Sequence, residues 1–537
     1  MNLLDRAIAY VAPGLGADRA RARLRIGAAS GYQAAKRELA ALRNLTAKAQ
    51  TADADALPNL ETIRSRSRHL IMNAPLAGGA VSTVVTNVVG SGLRMSPQAD
   101  GKALAALAGI TPEQVKVFEE AAEREWRMFC RTEHADAAGE LSFAGIQELA
   151  FRSTLASGDC FAAIVAAPQG RPFDFALQLW EADRVANPQF RADDELLAGG
   201  VERNVSGRPV AYHVAQIDRT TSVKRSWRRV EKYAPDGSPR VLHLVHRDRI
   251  GQSRGVPYLA PVMAALADLD RYTQAEITAA VLNASIAILG ESPTGDSPLK
   301  QEAAAAGNTP GHTPGFRRAD IEFEPGMVLE GFMPGETIRS FDANRPNAGF
   351  DPFVQAVLRQ VGARLGLPFE VLVLHFTASY SAARAALLQA WAFFRARRAW
   401  LAAGLCQPTY ELVLRNAILR RRLVAPGFLQ DPAIRAAWCG ARWTGPSPGQ
   451  IDPLKEVKAA ELRLALTLSS RTRETAELTG DDWEQIAAEN AEEARSMAQL
   501  GIAPPAPPAE ADRPLPDVED DSPDEADPED LPDQEAA

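Results

Sequence analysis

Residues 362–391 read GARLGLPFEVLVLHFTASYSAARAALLQAW, one helix stopping and a longer one starting across a short loop. Gly366-Leu367-Pro368 is the stop: glycine supplies a left-handed C-terminal residue, and proline turns its predecessor away from the helical region. From Ser381 the run is rich in Ala, Leu and Arg, with Leu387, Trp391, Phe394 and Leu401 at helical steps, which predicts a packed helix. Between them His375-Phe376-Thr377-Ala378-Ser379-Tyr380 shows no metal-ligand or nucleophile–base spacing. Such a loop is mechanical rather than catalytic.

Outward from this loop, residues 349–366 predict a helix, and 256–289 predict a longer one striped by Val262, Leu266, Leu269, Ile277 and Val281. The ionisable residues of that longer helix are Asp268, Asp270, Arg271 and Glu276, a net of −2. Between the two helices lies a Gly/Pro/Ser/Thr-rich stretch. Brief strands follow at Ile321-Glu322-Phe323, Met327-Val328-Leu329 and Thr337-Ile338-Arg339, around Pro325-Gly326 and Pro334-Gly335 turns.

Upstream, 58–165 reads as mostly helical, with Thr111-Pro112-Glu113 opening a helix that carries Val115, Phe118, Ala122, Trp126 and Phe129. Alternating runs at 173–179, 210–214 and 241–245 predict one small antiparallel sheet. Downstream come a turn region at 438–443, a helix capped by Asp452 with Pro453 at its first position, and a helix over 483–497. The fold class expected is mixed α/β (α+β) and helix-rich. No fixed-period repeat suggests a solenoid.

The chain has 537 residues, 46% apolar and 24% charged, enough for two or three cores. Cys130, Cys160, Cys406 and Cys439 are scattered, as suits reduced thiols rather than a disulfide framework. No run of about 18 apolar residues suggests a membrane span, and Asp5 and Arg6 interrupt any secretory leader, so a soluble protein made inside the cell is expected. Residues 503–537 hold 13 acidic residues, one Arg and nine prolines. Their net of −12, set against −9 for the whole chain, leaves +3 on the preceding 502 residues. That segment lacks the apolar groups to offset its ordering entropy and is expected to be a disordered acidic tail. Residues 1–57, with Arg19, Arg21, Arg23 and Arg25, read as a basic flexible arm.

Enzymatic signatures are weak. His243 and His246 fall on opposite faces of a predicted strand, so a shared metal is not expected. Gly90-Ser91-Gly92 and Gly199-Gly200 belong to no nucleotide cradle, and Ser157-Gly158-Asp159 and Ser379 to no nucleophile turn. The acidic pairs Asp193-Asp194, Asp481-Asp482 and Glu492-Glu493 raise a nuclease as rival, but adjacent acids on a helix diverge by about 100°. Arg64, Arg66 and Arg68, then Arg395, Arg397 and Arg398, then Arg420, Arg421 and Arg422 raise a DNA-binding module. They make no compact recognition element, and the last group suits a helix C-terminus. Neither a cofactor nor a metal is implied.

A collinear set of stretches does resemble a known family. The set runs Ile63-Arg64-Ser65-Arg66-Ser67-Arg68-His69-Leu70, Asn87-Val88-Val89-Gly90-Ser91-Gly92-Leu93 and Trp126-Arg127-Met128-Phe129. It continues through Gln147-Glu148-Leu149-Ala150-Phe151-Arg152, Ser157-Gly158-Asp159, Glu181-Ala182-Asp183-Arg184 and Gly251-Gln252-Ser253-Arg254-Gly255-Val256-Pro257. Tyr380-Ser381-Ala382-Ala383-Arg384-Ala385-Ala386-Leu387-Leu388 and Ile451-Asp452-Pro453-Leu454-Lys455-Glu456 complete it. Together they resemble the portal proteins of lambda-type tailed bacteriophages.

The resemblance implies a ring-forming protomer, dodecameric when assembled, at one vertex of the virion capsid, after assembly in the host cytoplasm. It implies a wing at 58–255, a first stem helix at 256–290, a clip-like insertion at 291–345 and a second stem helix at 346–372. A tunnel loop at 373–383, a long helix and wing return at 384–449 and a helical crown at 450–502 then precede the acidic tail. The tunnel loop would offer His375, Phe376, Thr377, Ser379, Tyr380, Ser381 and Arg384 to double-stranded DNA without reading its sequence. Implied partners are the terminase large subunit, capsid or scaffold protein and the head–tail connector, with no membrane and no enzymatic activity.

Overall fold

The computed structural model describes residues 48–218, 220, 224–285, 289–291, 337–339, 349–376, 380–449, 453–481 and 483–502, with positions 10, 13–15 and 18. Helices dominate and the sheets are antiparallel, the mixed class expected. Two compact units divide the chain, Met1–Ile451 and Asp452–Ala537.

The first unit opens with α1 (Ala52–Ala56), where the Thr51 hydroxyl accepts from the Ala54 N–H at 3.2 Å. Asp53 accepts from the Ser253 N–H at 2.7 Å and its hydroxyl at 2.6 Å, and Asp55 pairs with Arg249. Residues 51–57 therefore belong to the fold, which corrects the boundary drawn at 57 for a free arm. Next come α2 (Leu60–Asn73) and α3 (Pro75–Val88), the latter burying Ala77, Ala80, Val81, Val84, Val85 and Val88. They are followed by β1 (Arg94–Pro97), α4 (Gly101–Ala108), α5 (Pro112–Phe129), α6 (Thr132–Ala135) and α7 (Phe143–Ser157). Thr111 and Gln114 cap α5 reciprocally, and Val115, Phe118, Ala122, Trp126 and Phe129 are buried as their spacing predicts.

The chain then enters β2 (Asp159–Ala166), β3 (Phe175–Glu181), β4 (Leu197–Ala198), β5 (Val201–Arg203), β6 (Pro209–Ile217), β7 (Lys224–Glu231) and β8 (Val241–Val245). The expected single sheet is two: β3-β2-β8 with β2 central, and β4-β5-β6-β7. Phe161, Trp180, Val201, Tyr212, Val214 and Val241 pack between them. The central strand β2 lies inside the stretch expected to be helical. Its sequence, DCFAAIVA, is buried from Asp159 to Ala163 and shows no polar alternation, so periodicity gives no strand signal.

The long helix is α8 (Met263–Ser285), shorter than 256–289 at both ends. Pro257 and Pro261 hold its approach in turns, including a 3₁₀ turn at Ala260–Val262. Next are β9 (Leu289–Glu291) and its antiparallel partner β10 (Thr337–Arg339). The expected strands at 321–323 and 327–329, with both Pro-Gly turns, lie outside the described residues. The return is α9 (Phe350–Leu365), α10 (Phe369–Val373) and α11 (Tyr380–Leu401). A π turn at Ala402–Cys406 leads into α12 (Gln407–Leu419), whose second residue is Pro408. The wide turn sits where proline has no N–H to give and its ring crowds the preceding carbonyls.

After α13 (Pro432–Trp438), β11 (Ala441–Thr444) pairs with β1, Arg94 opposite Thr444. Residues 438–443 are thus a helix end and a strand rather than a turn region. Trp443 meets Trp126 edge-on at 5.4 Å and donates its indole N–H to Gln407 Oε1 at 3.0 Å. Trp126 also touches Phe129, Phe143 and Tyr410, which makes it the centre of the main core.

The second unit holds α14 (Pro453–Ala465), α15 (Arg471–Leu478) and α16 (Trp483–Gln499), two residues longer than expected at its end. The Asp452 cap lies outside the described residues. Arg463 clasps Glu474 at 2.6 Å. No helix among the described residues is long and apolar enough to cross a membrane.

Candidate functional site

The loop marked by the sequence rests on a braced frame. Gly366 takes φ 73° in the left-handed region, and both its N–H and that of Leu367 donate to the Gly362 carbonyl, the latter at 2.9 Å. The Tyr258 hydroxyl donates to the Leu365 carbonyl at 2.5 Å. Leu367, Val371 and Leu372 are buried, so α10 is pinned from below.

Leu374 then turns left-handed at φ 55°, and the His375 N–H closes α10 onto the Glu370 carbonyl at 3.1 Å. His375 is exposed, Leu374 is 69% exposed and Phe376 49%. Thr377, Ala378 and Ser379 lie outside the described residues. Tyr380 and Ser381 form the first turn of α11, which begins one residue earlier than Ser381, and Arg384 is half-buried on its second turn. Val373 is helical and 380–383 are helical, so the loop is shorter than 373–383.

The densest polar constellation lies elsewhere, and local spacing gave no hint of it. Asp159, at the start of β2, is fully buried. Arg254 spends all five N–H bonds around it: Nε donates to Asp159 Oδ2 at 2.6 Å, and Nη2 to Asp159 Oδ1 at 3.1 Å and the Ala182 carbonyl at 2.6 Å. Its Nη1 donates to the Val185 and Gly199 carbonyls, both at 2.6 Å. Arg64 of α2 donates to Asp159 Oδ1 at 2.9 Å and to the Ser157 carbonyl at 2.7 Å, while Arg68 pairs with Asp183.

Burial pushes the Asp159 carboxyl up, but Arg254 and then Arg64 outweigh it and hold the group well below the carboxylate range. Arg64, lowered by burial and next by Arg254 to about 10, stays charged at neutral pH. His243 stacks on Phe161 at 4.2 Å with Nε2 3.2 Å from Asp159 Oδ2. Burial, opposed by Asp159, brings its pKa down to about 4. The ring is neutral, and because a carboxylate only accepts, Nε2 carries the proton. Gly158 and Gly255 cross beside this node so closely that a Cβ on Gly255 would lie 1.8 Å from the Gly158 carbonyl oxygen.

A second clamp holds the glycine pair near residue 90. Arg398 of α11 donates to the carbonyls of Val88 at 3.2 Å, Asn87 at 3.1 Å and Pro446 at 2.8 Å, at the C-terminal end of α3 where a cation is favoured. Gln147 accepts from the Leu93 N–H at 2.7 Å.

The other candidate groups are structural as well. Arg420 pairs with Asp174 and Arg422 with Glu125 at 2.8 Å, so this cluster is fixed by carboxylates as well as by its helix end. Asp193 and Asp194 accept N–H bonds from Gly199 and from Leu196 and Leu197, which builds a turn. Asp482 lies outside the described residues. No acid, His and Cys group among the described residues is set to hold a metal. The four cysteines are free, and burial pushes the Cys160 and Cys439 thiols up to about 12.

The stretches containing Arg64, Asp159, Asp183 and Arg254 thus converge on one node, and those containing Asn87 and Gln147 on its neighbour. The family model for phage portal protein, lambda family, matches residues 40–398, across both. The chain belongs to the lambda family of phage portal proteins.

The portal protein of Escherichia phage N15 is 27% identical over 486 residues, spanning 87% of this chain and 90% of that protein. Portal protein B of Escherichia phage lambda is 26% identical over 482 residues, spanning 87% and 89%. Among solved structures, a chain in the virion of a native gene transfer agent particle aligns with TM-score 0.34 and 15% identity, covering 79% of this chain and 99% of that one. Another, from the neck of an empty gene transfer agent particle, gives 0.35 and 16%, with the same coverage. Such low scores add no weight to the assignment. As a portal protein the chain has a structural rather than an enzymatic part.

Proposed function

We propose that this portal protein assembles into a closed ring, dodecameric by family, at one vertex of the virion capsid, and conducts double-stranded DNA into and out of the head. On this reading it docks the terminase large subunit during packaging in the host cytoplasm, capsid or scaffold protein around its rim, and head–tail connector proteins afterwards. The collinear family match over 40–398 carries the proposal. The wing would span 58–255, α8 and α9 would be the stem helices around a clip-like insertion, 374–379 with the start of α11 the tunnel loop, and α14 to α16 the crown.

The chemistry of α8 supports a sliding channel. Each phosphate neutralised by a cation adds salt-dependent affinity, and many such contacts would arrest DNA. On α8 Arg271 is engaged by Asp268 at 2.7 Å, among carboxylates that outnumber it. Leu374 and Phe376 add an exposed apolar tip that can touch any backbone without reading bases.

Negative-stain imaging of the full chain tests the proposal. Closed rings with a central hole of duplex width are expected, because head-to-tail contacts close when the per-subunit rotation fits. Two-fold dimers alone, across salt and concentration, would refute it.

A further inference from the structure

Strand β7 ends its sheet, and among the described residues it pairs with β6 alone. The Lys232 N–H donates to the Val210 carbonyl at 2.9 Å, which fixes the phase of the ladder. Bonded and non-bonded pairs alternate, so the N–H groups of Trp227, Arg229 and Glu231 point to the free edge. Side chains alternate too: Arg228 and Val230 stand opposite buried Val214 and Tyr212 and face the other sheet. There they line a trough of about 570 Å³ with Val165, Trp180, Arg229, Glu231 and Arg240, the last 3.9 Å from Glu231.

The trough joins the apolar side chains of Val165, Trp180 and Val230 to three arginines that outnumber its one carboxylate, Glu231. Arg228 has no carboxylate within ion-pair distance among the described residues, and neither has Arg184, whose guanidinium lies over the Trp180 ring at 5.6 Å. Burial and then the like charge of Arg228 hold Arg184 below the ordinary arginine range, against the opposing pull of Glu181. Residues 218–232 carry six Lys and Arg against two acids. Beside the edge, Phe190 is 75% exposed at φ 57° and sets its ring against Trp227 at 5.4 Å.

We propose that this edge takes an extended acidic segment of a partner protein, added to β7 as a further strand with alternate side chains turned into the trough. Main-chain bonds to the three outward N–H groups would supply affinity, and the Arg184–Arg228 pair would select acidic side chains. An inward-facing cation on an edge strand also discourages pairing with another copy's equally basic edge. That protective role and acidic selectivity come from the same side chain. A stiff duplex would meet the cations but not enter a slot between two sheets. The inference needs the wing sandwich alone and stands apart from ring formation.

Fluorescence anisotropy on the full chain, with a labelled peptide of alternating Glu and Val, tests it. Arg229→Pro removes one outward N–H while sparing the ladder to β6, and Arg229→Ala removes the same charge while keeping the N–H. Saturable binding is expected in the unaltered chain and retained within about threefold in Arg229→Ala, but weakened about tenfold or more in Arg229→Pro and in Arg184→Glu/Arg228→Glu. Equal binding by the Pro and Ala variants, no saturable binding by the unaltered chain, or displacement by short duplex DNA more readily than by unlabelled peptide would overturn the proposal. Should Arg229→Pro lower the melting temperature, the double Glu variant decides, and undiminished binding there overturns it.

Discussion

Asp159 is an anion with no exposed surface, stable only while Arg254 and Arg64 both hold it. Breaking such a buried set by removing one partner leaves the others desolvated, so Asp159→Asn is expected to cost about 3–5 kcal/mol, read as a lower denaturation midpoint. Asp183→Asn, at the half-exposed rim, should cost far less. His243 adds a pH dependence whose sign is fixed by its pKa of about 4, below the unfolded value of 6.5. Between those values the unfolded chain binds more protons, so this contribution is full above about pH 6.5 and drains away as pH falls toward 4. Hydrogen exchange of the β2–β8 amides should speed up over that window, and less so in His243→Gln. At the loop, Phe376→Ala and Tyr380→Ala should lower DNA filling while leaving melting unchanged, because the Gly366 stop and α11 set the backbone independently of both side chains. A fall in melting of the size that follows core aromatic truncation, about 3–5 kcal/mol, would return both side chains to the core.

The end of α9 shows what an element owes to one residue. Gly366 sits at φ 73°, and a Cβ there would lie 3.2 Å from Phe393 Cδ2, so Gly366→Ala should cost about 1–3 kcal/mol in thermal melts. Gly79, inside α3 with open space at its Cβ position, is the contrast: Gly79→Ala should be neutral or stabilising by about 0.5–1 kcal/mol. Gly366 with Pro368, and Thr111 with Pro112, were legible in the sequence because a helix end is written in adjacent residues. Strand β2 was not, since a strand buried on both faces loses the alternation that reveals it. The Asp159 node was illegible for a different reason. Its partners lie 95 residues away on either side, and nothing local distinguishes Arg64 from the exposed Arg66 two positions on. The loop was legible as a loop, yet its limits moved by several residues because α10 and α11 extend into it.

At the scale of the whole molecule, the two units differ in what they bury. The described residues of 52–449 surround a large aromatic core, whereas the described part of the second unit buries Ala460 and Glu474 while leaving Leu454 85% exposed and Leu462, Leu466, Leu468 and Leu500 exposed as well. Short helices without a packed face are marginal in water, so α14 to α16 need a covering that the described residues of this unit do not supply. In a ring, neighbouring copies would supply it. Hydrogen exchange on monomers and on assembled rings checks this directly: protection over 453–502 should rise on assembly far more than over 52–449. Equal protection in monomer and ring would mean that the helices are stable alone and contribute nothing to ring closure. Removing 503–537 should change neither pattern, because that segment's nine prolines and 13 acids offer no apolar face to bury. A truncated chain that fails to close would instead assign the acidic segment a part in holding neighbours together, and raising the salt concentration would then weaken rings of the full chain as well.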